Sequence, residues 1–74
     1  MERAVLLDHL AKAEKHVLEG RQRVTRQQDL IADLRRGRHD TGDAELLLRQ
    51  FNELLALHLA TRERLRGELG EQQH

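Results

Sequence analysis

The five histidines, His9, His16, His39, His58 and His74, are the side chains of this 74-residue sequence best suited to chemistry. A histidine works as acid, base or metal ligand only when other groups converge on it. A helical zinc-protease site needs two histidines four apart with a glutamate between them, and no pair here has that spacing. A di-iron bundle site needs Glu-x-x-His repeats; the residues three before His9, His16 and His58 are Leu6, Ala13 and Leu55. His9 and His16 are seven apart and flank one side of a helix, where two copies of the chain could gather histidines. Histidines in such positions are most often solvated, and no metal and no cofactor is expected. Serine and cysteine are absent, and Thr25 and Thr41 have no histidine placed to activate them. Gly37 and Gly42 lack the spacing and the lysine of a phosphate-binding loop. The chain is therefore expected not to be an enzyme.

The most informative polar residues are His58 and Arg62. At 100° per residue, with Phe51 as zero, they fall at about −20° and +20°, the middle of an apolar arc. With the turn centred near residue 40, His58 faces roughly residues 20–24 of the first helix, so Gly20 and His58 are small-to-large partners. Gln27 lies further along the same inner face, and His58, Arg62, Gly20 and Gln27 make a candidate buried polar layer. Such a layer is either a ligand site or pH switch or, more commonly, a device that fixes register and oligomer state. Dimeric hairpins that carry a phosphoaccepting histidine in bacterial signalling are similar in having a histidine on a hairpin helix. They usually place an acidic residue after it, whereas Leu59 follows His58. That signalling role, or metal or ligand binding in a bundle, is the alternative to a simple interaction protein.

The elements that must position these residues are helices. There is no Pro, Cys, Trp or Tyr, and Phe51 is the single aromatic. Leu, Ala, Glu, Arg and Gln dominate, which are good helix formers, so the fold class is all-α. Thirteen basic residues balance thirteen acidic ones, which excludes a strong field toward nucleic acid or an acidic membrane. No apolar run approaches the ~20 residues of a membrane span, and no signal peptide is evident. The expected location is the cytoplasm.

Residues 2–36 carry a seven-residue apolar repeat, with Leu10, Val17, Val24 and Ile31 on one seam and Leu6, Ala13, Gly20, Gln27 and Leu34 on the other. Pairs four apart, Asp8/Lys12 and Lys15/Glu19, decorate the outer face. Gly20 on the inner stripe points to a close approach or to a large residue opposite. Arg35, Arg36 and Gly37 end the first helix, with Gly37 taking the left-handed conformation just past it. The turn covers residues 37–41, with Thr41 preferred over Asp40 as the cap of the next helix. The second helix spans residues 42–69, with Ala44, Leu47, Leu48, Phe51, Leu54, Leu55, Leu59, Leu65 and Leu69 on one broad arc, and residues 70–74 form a frayed tail.

The run Ala13–Gly20, the run Gln27–Leu34, the turn Gly37–Thr41, then Ala44–Leu47, Leu57-His58 and Arg62–Leu65 together resemble a group of short helical-hairpin proteins of rhizobia and related alphaproteobacteria. The resemblance covers roughly residues 13–65. It implies a bacterial cytoplasmic origin and brings no activity, cofactor or partner with it.

One domain over residues 1–74 is therefore expected, a two-helix antiparallel hairpin. Each apolar stripe is wider than one partner helix covers, and Leu46 and Leu57 lie outside the main stripe. Two hairpins packing as a homodimeric four-helix bundle, or a tetramer, would cover them. The expected interface draws on Leu6, Leu10, Val17, Val24, Ile31, Leu34, Leu47, Phe51, Leu54, Leu55 and Leu65. The expected function is that of a small non-enzymatic interaction or scaffold protein, a homo-oligomer that contacts neither nucleic acid nor membrane, with an additional protein partner as the other candidate.

Overall fold

A computed structural model describes residues 2–72 and places them in two long helices, α1 (Arg3–Arg36) and α2 (Gly42–Gln72). They pack side by side as a hairpin of 56 × 14 × 14 Å. The radius of gyration is 16.8 Å, against about 11 Å for a globular domain of this length. No helix among the described residues is long and apolar enough to cross a membrane.

The heptad seams explain the packing. A heptad repeat keeps the same stripe facing a partner along the whole helix. Accordingly Leu6, Ala13, Val17, Gly20, Gln27 and Ile31 of α1 are buried, as are Leu65 and Leu69 of α2. The contiguous core is small and lies at the end far from the turn: Leu6, Ala13, Leu65 and Leu69, with Leu10 packed against it. Leu6 and Leu65 are 1% and 2% exposed. α2 continues through Gly70 to Gln72, beyond the expected end at residue 69, and residues 73–74 lie outside the described residues. Burial of Leu69 holds that last turn helical, and Gly70 is followed by two residues that accept a helix well.

The chain end of α1 differs from expectation. Gly37 has φ −83° and ψ 2°, an ordinary right-handed conformation. The left-handed residue is Arg38, at φ 58°. The hydrogen bonds explain why. His39 N–H donates to Leu34 O at 2.9 Å and Arg38 N–H to Arg35 O at 3.1 Å, the paired six-to-one and five-to-two bonds of a Schellman end. That pattern puts the left-handed site one residue past Gly37, on an arginine. An arginine there carries a steric cost that glycine does not. Arg38→Gly is therefore expected to stabilise the hairpin by about 0.5–1 kcal/mol, a rise in Tm of roughly 2–8 °C. An unchanged Tm would remove the left-handed assignment. Gly37→Ala should have little effect by comparison, because the new Cβ is crowded only by the side chain of exposed His39, at 2.8 Å, and meets Asp33 O at an ordinary 3.7 Å.

The entry to α2 also departs from expectation at its cap. Asp40 Oδ1, not the Thr41 side chain, accepts from Gly42 N–H at 2.9 Å. Thr41 contributes its carbonyl, which accepts from Glu45 N–H at 2.8 Å. Asp43 and Glu45 occupy the first turn, where negative charge suits the helix dipole.

Register is the third correction. Gly20 lies against Leu55, not His58: a Cβ built on Gly20 would sit 3.2 Å from Leu55 Cδ1 and 3.8 Å from its Cα. His58 meets His16 instead. These two seam contacts are centred near residue 37 rather than 40, while the long side chains of Glu14–Arg66 and Arg35–Glu45 bridge pairs centred on 40. The chain reverses at Arg38, and His39–Thr41 are not helical. Non-helical residues cover more than the ~1.5 Å per residue of a helix, so α2 begins further along α1 than a turn centred at residue 40 would allow.

Candidate functional site

The four members of the expected polar layer do not form one layer. Gln27 is buried near the turn, and its Nε2 donates to Ala44 O at 2.9 Å, tying α1 to the first turn of α2. Gly20 is buried at mid-length and serves close approach to Leu55. His58 is half-buried, and Arg62 lies one turn beyond it with its side chain 18% exposed. The Arg62 Nε–H is buried without a hydrogen-bond acceptor among the described residues. Glu63 Oε1 at 3.5 Å offsets its charge at a distance beyond good hydrogen-bond range.

The pairing that sequence spacing could not reveal is His16 with His58. Their ring centroids are 4.9 Å apart, with the planes tilted by 41°. His16 is exposed on α1, and His58 is half-buried on α2. His9, His16 and Thr61 line one surface groove with Lys12 and Arg64. Thr61 is three residues after His58 and is the threonine that shares this flank, not Thr25 or Thr41. Its hydroxyl donates to Leu57 O at 3.0 Å, so its proton is already engaged.

The two flanks of the hairpin differ in chemistry. On one, Glu14 of α1 meets Arg66 of α2 at 3.4 Å, and Arg35 meets Glu45 at 2.6 Å. Glu14 and Arg35 are three heptads apart, and so are Glu45 and Arg66, so both ion pairs close the same side of the seam. The remaining ion pairs bind residues of one helix to each other, as in Lys12–Asp8, Lys15–Glu19, Arg36–Asp33 and Arg64–Glu68. The other flank has His9, His16, Arg23 and Leu30 at heptad spacing on α1, and Leu47, Leu54, Thr61 and Glu68 on α2. Leu30, Leu47 and Leu54 are exposed there, and Leu57 beside them is 66% exposed.

The leucines and other apolar residues expected at an interface divide accordingly. Leu6, Val17, Ile31 and Leu65 are buried between the chain's own two helices. Leu10, Val24, Leu34, Phe51 and Leu55 are half-buried in or beside that seam. Leu47 and Leu54 alone of that set are exposed, together with Leu46 and Leu57.

No group of three or more metal-ligating side chains converges among the described residues. No family model, no curated protein and no solved structure matches the chain.

Proposed function

We propose that this chain is a small, non-enzymatic interaction protein of the cytoplasm that acts through helix–helix association, and that the first occupant of its open flank is a second copy of itself. The observation that carries the reading is the contrast between the two flanks. Inter-helix ion pairs run along one, which exposes Leu7 and Leu18, while the larger set Leu30, Leu47, Leu54 and Leu57 stands in water on the other. Exposed apolar surface of this kind ordinarily marks an interface.

Area supports a second copy. The hairpin exposes 5542 Å² at 8.6 kDa, against about 4,700 Å² for a compact monomer of that mass. The excess of about 800 Å² matches one partner's share of a standard interface. Two hairpins joined along this flank make a four-helix bundle whose outer faces keep the ion pairs. An isologous contact of this kind brings Leu54 and Leu57 of both copies into one interface.

The expected result is a dimer at micromolar concentration, with a Tm that rises as protein concentration rises. Leu54→Glu combined with Leu57→Glu should return the chain to an 8.6 kDa monomer. Light scattering during size exclusion reads both outcomes. A parent that stays monomeric, with a melting transition independent of concentration, would overturn the reading.

A further inference from the structure

We infer that His16 and His58 form a two-histidine clamp for a late first-row divalent metal ion (Cu²⁺, Ni²⁺ or Zn²⁺) held across the two helices. His16 lies on the flank that the proposed function gives to a second copy, so the inference concerns the hairpin with that flank uncovered. It begins with distance. A ring nitrogen ~2.0–2.1 Å from a metal sets its ring centroid about 3.1 Å away, so two imidazoles meeting at about 90–110° have centroids about 4.4–5.1 Å apart. The observed separation is 4.9 Å, with the rings tilted rather than stacked flat.

The surroundings suit the ion. His58 is half-buried, which restricts its ring, while exposed His16 is free to turn a lone pair toward the same point. Buried Ala13 and Leu65 line the groove beside His16, and such an apolar backing limits solvent access to a metal. Of the neighbouring cations, Lys12 is paired with Asp8 at 3.0 Å and Arg64 with Glu68 at 3.3 Å, while Arg62, one turn from His58, has Glu63 at 3.5 Å. Without carboxylate ligands, the pair favours metals that prefer imidazole over Mg²⁺ or Ca²⁺. His9 is seven residues from His16, about 10.5 Å along the helix, too far to serve as a third ligand. The remaining coordination positions are left to water.

An ion joining α1 to α2 binds the folded hairpin and not the separated helices, so it must raise the Tm. The test uses the untagged full chain, with a variant that keeps only the clamp (His9→Gln, His39→Gln and His74→Gln together) and the single variants His16→Gln and His58→Gln. Calorimetric titration with NiCl2 and ZnCl2 is paired with melting followed by circular dichroism. The clamp-only chain should bind one equivalent and gain on the order of 10 °C in Tm at free metal a hundred times Kd. His16→Gln and His58→Gln should each lose both effects. Because His16 is exposed, His16→Gln should keep the parent's metal-free helix content, so its loss cannot be ascribed to misfolding. Three results would each overturn the clamp: no binding by the clamp-only chain, the parent Kd retained in His16→Gln, or binding without a rise in Tm.

Discussion

Leu65→Ala is expected to lower the stability of the hairpin by about 3 kcal/mol, with a fall in Tm of roughly 12–24 °C. Leu65 is 2% exposed and packs with Leu6, Ala13 and Leu69 in a contiguous buried cluster. Truncation removes the transfer free energy of its side chain and leaves a cavity that two long helices cannot easily close. A chain of this size has only about 4–11 kcal/mol in total, so the loss is a large share of it. Thermal melts of parent and variant at equal concentration measure the effect. A fall of less than about 1 kcal/mol would mean that Leu65 is not packed as described.

Gly20→Leu is the second large effect, expected at about 2–3 kcal/mol of destabilisation. The Gly20 Cβ position is already 3.2 Å from Leu55 Cδ1, and Leu55 Cβ and Cα follow at 3.6 and 3.8 Å. A leucine side chain has no room there unless the helices part at mid-length. Gly20→Ala separates sterics from propensity. Alanine gains up to ~1 kcal/mol in helix propensity and asks only that the end of the half-buried Leu55 side chain shift by a few tenths of an ångström. Its Tm should therefore equal or exceed the parent's. Equal melting of the Leu and Ala variants would remove the close approach from the account.

Much of the fold was legible because one signal dominates it. The seven-residue repeat of the first helix identifies Leu6, Val17 and Ile31 as inward facing, the apolar arc of the second does the same for Leu65, and all four are buried. Periodicity describes one helix at a time, however. It says which residues share a face and is silent about which residue of the partner they meet. Register depends on the path of His39–Thr41, and a few residues of non-helical chain moved His58 from Gly20 to His16. Residue type misled at the turn for a related reason. Glycine is the usual left-handed residue, but the helix end is fixed by its backbone hydrogen bonds, and these select Arg38. Thr61 belongs to the histidine flank, and its position three residues after His58 was the signal available to find it. Asp40 and Thr41 were near-equivalent caps by type, and only geometry distinguishes them.

The placement of the leucine cluster at the open end has a consequence for the order of folding. Leu6 and Leu69 sit at nearly the largest chain separation the described residues allow. Closing a short loop costs less entropy than closing a long one, so helix pairing nucleates beside the turn, where Gln27 reaches Ala44. Contacts then propagate outward, and the leucine cluster closes after the transition state has been passed. Its interactions therefore restrain the native chain without having guided it there. In stopped-flow measurements the Leu65→Ala loss should appear almost wholly as faster unfolding, with the refolding rate close to the parent's. The lifetime of the hairpin is thus set at its free ends, and its speed of formation at the turn.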